Sequence, residues 1–338
     1  RNQLYKPNRP GYSDLAVESN EVQNTILEAP GFRKLRDQAA EIANDWFADH
    51  REALANINAD TVPSDLIQKL GDDFLARFKN LPLLDEYDAY QQLMTYWQEV
   101  MHDDIFLIMN DGWVDAVKPR LTINDKERKL TEEPDLTIGT AKKAQKYKMD
   151  LIPPRLIVAR YFADEQATVD ELTAAAEEAT RAVEEYVEEH AVEDGLLADA
   201  MDDEKISKAL VTARLKTIKN DGDPDEIDAL KQAIKLYNAE AAAKKVLKEA
   251  QAELDLATLN KYGDLTEADV KTLVLDVKWQ ATLVLRVGGE VEALTLNLVS
   301  RIQQLGARYA ETVNALDTEL ERLESNVAKH LAAMGVEQ

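Results

Sequence analysis

Apolar residues at Val169, Leu172, Ala176, Ala179, Val183 and Tyr186 step by three and four in alternation, and the rhythm returns at Ile227, Leu230, Ile234, Tyr237 and Ala241. Spacing of this kind lays one narrow apolar seam along a helix, and such a seam must find a partner helix. Two seams separated by a Gly- and Asp-containing stretch predict an antiparallel helical hairpin, an arm spanning residues 163–262. Glu177, Glu178, Glu184, Glu185, Glu188 and Glu189 fall on its outward positions. Helices of about thirty residues would each extend about 45 Å. The return helix has a start signal: Asp223 as N-cap, Pro224 at the first helical position and Glu226 at the third, a capping-box-like arrangement.

The flanking segments read in the same way. Residues 1–22 are expected to be a loose leading segment, with Pro7, Pro10 and Gly11 close together. Phe32, Leu35, Ala39, Ile42 and Trp46 make a helical stripe over 31–56, and Ser64 is expected to cap a helix ending at Phe78. After a proline-marked break at Leu81–Leu84 comes an aromatic-rich, buried helix through Tyr87, Tyr90, Leu93, Met94, Trp97 and Met101. Residues 1–104 form a helical domain on this reading. The character then changes: Ile105–Met109 is β-prone and Asn110-Asp111-Gly112 is a hairpin-turn signal leading into Trp113–Val117. Residues 118–149 lack periodicity, so 105–162 is expected to be a β-hairpin and loop insert. A short helix falls around Ile206–Ile218 in the arm's connecting region.

Residues 263–338 read as C-terminal helices. Thr266-Glu267-Ala268-Asp269 caps the first, and the last carries Val313, Leu316, Leu320, Leu323, Val327 and Leu331 near heptad spacing. The predicted class is mainly α, a helical domain with a small β-hairpin insert and a long coiled-coil-like arm.

Composition narrows the functions open to such a chain. Its 338 residues can bury a large core, and scarce glycine and proline favour long helices. With 64 acidic against 40 basic residues the net charge is -24, which repels phosphate, so the chain as a whole is not expected to hold DNA or RNA unaided. Cysteine is absent, so there is no disulfide or thiolate metal site, and a reducing cytoplasm is the expected compartment. No apolar run has membrane-spanning length. The sequence starts at Arg1, consistent with an excised fragment or a processed or trimmed N-terminus.

The search for chemistry returns little. Gly288-Gly289 is the one glycine pair, and its helical flanks favour a kink or close packing over a phosphate cradle. His50, His102, His190 and His330 are scattered, and His102-Asp103-Asp104 is the single cluster to consider as a site. Asp221, Asp223 and Asp225 imitate a calcium loop, but Glu226 stands where the loop needs glycine and Gln232 where it needs glutamate. No catalytic, cofactor-binding or metal-ligating residue is assigned. Lys142, Lys143, Lys146 and Lys148, with Tyr147 among them, are either phosphate contacts on a finger or a solvated loop.

Several ordered stretches resemble the C-terminal part of the methyltransferase (M) subunit of type I restriction–modification systems. They are Leu83-Leu84-Asp85, Tyr87 to Met94, Tyr96-Trp97, Met101 with Asp103-Asp104, and Asp111-Gly112-Trp113. Asp150-Leu151-Ile152-Pro153 and Val158 to Phe162 continue the set, then Lys271 to Val274, Asp276, Lys278-Trp279, Arg308-Tyr309 and His330 to Gly335. The resemblance implies adenine-N6 methylation of DNA from S-adenosylmethionine, in a complex with a DNA-reading specificity subunit and a restriction subunit. It also implies that C-terminal helices dock on the specificity subunit's helical spacers, making Leu316, Leu320, Leu323, Val327 and Leu331 the candidate docking residues. The same residues packing on the chain's own arm is the equal alternative, and the arm itself reads as a strut.

The family's N-P-P-[FY] motif and Gly-rich donor loop do not occur in these residues. Ile152-Pro153-Pro154-Arg155 lacks both the Asn and the aromatic. The fragment is therefore expected to be inert alone and to bind no cofactor, reaching DNA only through the complex. A free-standing coiled-coil scaffold or dimerisation module is the second reading, and an enzyme with an unrecognised site the third.

Overall fold

The computed structural model describes residues 4–9, 12–18, 20–125, 130–139, 143–202, 205–219 and 222–334. In chain order, strands β1 (Tyr5–Arg9) and β2 (Tyr12–Leu15) precede α1 (Val22–Leu27), α2 (Pro30–Ala55), α3 (Pro63–Phe78) and α4 (Glu86–Tyr96). A π-helical turn, Trp97–Met101, joins α4 to α5 (His102–Asp115). Short strands β3 (Arg120–Leu121), β4 (Asn124–Asp125), β5 (Leu130–Thr131), β6 (Leu136–Ile138) and β7 (Gln145–Lys148) follow. Then come α6 (Pro154–Tyr161), α7 (Ala163–His190), α8 (Lys208–Ile218), α9 (Pro224–Gly263) and α10 (Glu267–Lys271). A nine-residue π-helix, Thr272–Gln280, leads into α11 (Ala281–Ala333). The protein is mainly α-helical with a small antiparallel sheet.

Two compact units divide the chain, one made of 1–112 and 274–338, the other of 113–273. In the first, the stripe on α2 buries Leu35, Ala39, Trp46 and Phe47. Trp46 meets Phe74 of α3 edge-on, with ring centroids 5.0 Å apart, and its indole N–H donates to the Leu70 carbonyl at 3.2 Å. A second cluster joins Val22 and Ile26 of α1 to Val299 and Ile302 of α11. Pro63 holds the first helical position of α3 after Val62, and Ser64 lies inside the first turn, bonded to Asp65, so it is not the cap. The leading segment is not loose: β1 and β2 pair antiparallel, Tyr5 opposite Leu15.

The predicted β-hairpin at 105–117 is instead part of α5, which runs to Asp115 with a break at Gly112. Ile105 and Ile108 are buried one turn apart on α5, and Gly112, at φ 76° and ψ 168°, breaks the helix instead of turning a hairpin. The apolar run there fits both periods, and the glycine signal marked a break of a different kind. Gly288 and Gly289 sit in continuous helix with no atom within 4 Å of an added Cβ, so close packing is not the reason for either.

In the second unit the arm forms as its seams dictate. Val169, Ala176 and Val183, one heptad apart, are buried along α7, while the six outward glutamates are exposed. Tyr186 donates its hydroxyl to the Ala229 carbonyl of α9 at 3.2 Å. Ala241 is exposed, so the return seam ends earlier than its spacing suggests. A cluster of Leu197, Val211, Ile218, Leu230 and Ala233 ties α8 to α9. Asp223 caps α9 through the Asp225 N–H at 2.9 Å, but Glu226 does not close the box, since Arg214 engages it at 2.7 Å. Thr266 and Asp269 do form a reciprocal capping box on α10.

Residues 118–149, read as a long loop or β-excursion, contain an antiparallel sheet ordered β3-β7-β6, with β4 paired to β5. Arg120 braces it, forking onto Glu132 (2.7 and 2.8 Å) and onto Asp150 (2.6 and 3.0 Å).

Candidate functional site

α11 is 53 residues long, and its sequence changes role along its length. Up to Ile302 one apolar face of the helix is buried, through Leu283, Val287, Val291, Val299 and Ile302, while Leu285, Leu296 and Leu298 off that face are exposed. Further on, the apolar rhythm continues but the burial does not. Leu316 is 60% exposed, Leu320 52%, Leu323 49% and Val327 57%. The same heptad spacing on α7 leaves Val169, Ala176 and Val183 at 7% or less. An a/d seam in water forfeits about 1.5–3 kcal/mol for each large side chain that a partner helix would bury. Leu331 is half-buried, Met334 is 72% exposed, and the Val313 side chain lies outside the described residues. These four positions are exposed, in contrast to the buried seam of α7.

The lysine segment lies on and beside β7. Thr137 pairs with Lys146 across the ladder, which puts the two side chains on one face. Lys148 donates to Asp135 at 2.8 Å and to the Glu133 carbonyl at 3.3 Å, so its charge is already met. Lys143 and Lys146 are exposed and enter no ion pair among the described residues, while Lys142 lies outside them. Beside this strand is a cleft of about 460 Å³. Thr137, Ile138 and Gly139 form one wall, and Lys244, Leu247, Lys248 and Gln251 of α9 the other. The α9 wall could not be paired with the strand by sequence spacing, because about a hundred residues separate them.

His102-Asp103-Asp104 divides rather than forming a site. His102 Nδ1 contacts Asp103 at 3.1 Å at the surface, whereas Asp104 is buried. Its carboxylate accepts from Lys278 Nζ at 2.8 Å and from the Trp279 indole N–H at 2.8 Å. Burial pushes the Asp104 carboxyl above its ordinary range, against the pull of the Lys278 ammonium and the two hydrogen bonds. Tyr96 donates to the Lys278 carbonyl at 3.0 Å, and Arg286 lies over its ring at 5.0 Å. The group pins the two π-helical segments together. It is a structural joint, legible in the sequence only as two separate dipeptides.

Among the described residues no group of three or more His, Asp or Glu side chains could hold a metal ion. No helix described is long and apolar enough to cross a membrane. Comparison with family models, curated proteins and solved structures finds no match to this chain.

Proposed function

We propose that this chain is the C-terminal assembly region of the adenine-N6 DNA methyltransferase subunit of a type I restriction–modification system, and that the end of α11 docks on the helical spacers of the specificity subunit. The open seam at Leu316, Leu320, Leu323 and Val327 carries the reading, because a heptad stripe in water is a half-built coiled coil. The ordered resemblance of Leu83 to Gly335 supplies the identity of the partner, with the restriction subunit joining the same assembly. On this reading S-adenosylmethionine and the target adenine are handled by a catalytic domain that these 338 residues do not include. The arm of α7 and α9 serves as a strut, and the complex works in the cytoplasm.

The test is co-purification with a specificity subunit. The wild-type chain should be retained, and the Leu320→Asp/Leu323→Asp variant should lose at least about tenfold in affinity, since buried interface anchors contribute 1–3 kcal/mol or more each. Equal retention of the variant overturns the docking assignment. The same seam also suits a second copy of this chain. A concentration-dependent dimer in light scattering, abolished by the same two substitutions and accompanied by no capture of the specificity subunit, would replace the proposed reading with a dimerisation module.

A further inference from the structure

The open end of α11 has edges as well as a seam. With Leu316 and Leu323 at d and Leu320 and Val327 at a, the positions beside the seam are Asp317 and Glu324 at e and Glu319 and Asn326 at g. Both rows hold acids, and neither holds a base. Arg322 and Lys329, the lysine and arginine of this segment, both fall at c, away from any helix laid on the seam. Arg322 reaches Glu319 at 3.6 Å with the two side chains 69% and 60% exposed, and a pair so exposed neutralises little. Glu319 and Glu324 are therefore surface carboxylates on either side of apolar residues that are themselves exposed.

We infer that the occupant of this seam is a helix carrying its own apolar a and d stripe between rows of lysine or arginine at e and g, and is not a second copy of this chain. This rests on the docking role proposed for the end of α11 and adds the chemistry of what docks there. The apolar layers alone would accept either occupant, so the edges decide. In a parallel in-register pair, g of one helix faces the following e of the other, which sets Glu319 against Glu324 on both sides of the stripe. In an antiparallel pair e faces e and g faces g, so acids again meet acids or Asn326. No register of self-pairing brings a base to an acid, because neither row contains one. Like charges at these positions oppose association, whereas basic edges turn the same contacts into attractive pairs flanking the buried stripe. A net charge of -24 adds a longer-range pull on a basic helix and a push on a second copy.

Two fluorescent peptides of about four heptads test it, alike in valine at a and leucine at d, one with lysine and one with glutamate at every e and g. Anisotropy against the full chain at about 0.1 M salt should show the lysine peptide binding at least about tenfold more tightly. Glu319→Lys/Glu324→Lys should cancel or reverse that preference. Glu184→Lys/Glu188→Lys, the same change of charge on the exposed face of α7, should leave it intact. Leu320→Asp/Leu323→Asp should weaken the lysine peptide at least about tenfold. Equal affinity of the wild-type chain for the two peptides overturns the inference, and so does a lysine preference that survives either the Glu319→Lys/Glu324→Lys or the Leu320→Asp/Leu323→Asp change. Self-association of the wild-type chain in light scattering, tighter than its binding of the lysine peptide, overturns it as well. An intact lysine preference without capture of the specificity subunit would strike the partner's proposed identity alone. Capture of that subunit with no lysine preference would strike this inference alone.

Discussion

Asp104 and Lys278 lie 174 residues apart in the chain and meet at 2.8 Å in the interior of the first unit. One stands at the start of α5, one turn beyond a π-helical segment, and the other inside the second such segment. Their side chains are 5% and 11% exposed. A pair so placed is worth little against a well-packed apolar substitute, but each half is expensive without the other. Asp104→Ala and Lys278→Met should each lower unfolding stability by about 3–5 kcal/mol. The double variant Asp104→Leu/Lys278→Met should recover most of that. Urea unfolding followed by tryptophan fluorescence reads the effect, since Trp46, Trp97 and Trp279 all belong to this unit. Additive losses in the double variant would show that the two residues act separately.

Two seams with one spacing behave oppositely under substitution if their burial is the cause. Leu320→Asp and Leu323→Asp place charge where there is already water, and each should change stability by no more than about 0.5 kcal/mol. Val183→Asp places an unpaired charge between α7 and α9 and should destabilise by about 3 kcal/mol or more. Thermal unfolding of the three single variants makes the comparison. A large loss from Leu320→Asp would mean that its seam is covered.

The helices were legible because their apolar positions recur on one face over many turns: α2, α7, α9 and α11 all lie where their stripes place them. Burial was not legible. Nothing in the spacing of Val169, Ala176 and Val183 distinguishes it from that of Leu316, Leu320, Leu323 and Val327, because a seam records the need for a partner and not whether the chain supplies one. The strands of the small sheet and their order were not legible for a different reason. Strands of two to four residues are too short to display alternation, and their order β3-β7-β6 is set by pairing across the insert. Lys143 and Lys146 could be picked out as a charge run, but the neighbouring cleft wall with Lys244 and Lys248 forms only where α9 packs on β6.

Gly112 gives a test of the helix break. Its φ of 76° with ψ 168° is open to glycine and essentially closed to other residues. An added Cβ would meet no atom within 4 Å, so any penalty comes from the backbone and not from crowding. Gly112→Ala should therefore destabilise by about 1–3 kcal/mol, and Gly112→Val by more, without loss of helix content by circular dichroism. A stabilising Gly112→Ala would mean that α5 runs on unbroken.

Glu132 sets the acid sensitivity of the small sheet. Both its oxygens accept from Arg120, at 2.7 and 2.8 Å, and one also accepts the Ile123 N–H at 2.8 Å. The Arg120 guanidinium, then that backbone donor, hold the carboxyl at about 2, well below its ordinary value. A carboxyl whose pKa is depressed by folding contributes stability that is fully present above the unfolded value of about 4.3. That contribution is lost as pH falls from there through the folded value near 2. The sheet should therefore loosen over this acid window and be indifferent to pH between 6 and 8. Glu132→Gln should remove the part of the pH dependence that belongs to this residue while leaving α7 and α9 paired. A carbon-13 titration of the Glu132 carboxyl in the intact chain measures the effect directly. A midpoint above 4 would mean that the Arg120 fork does not persist in solution, and the bracing of β3 would need another source.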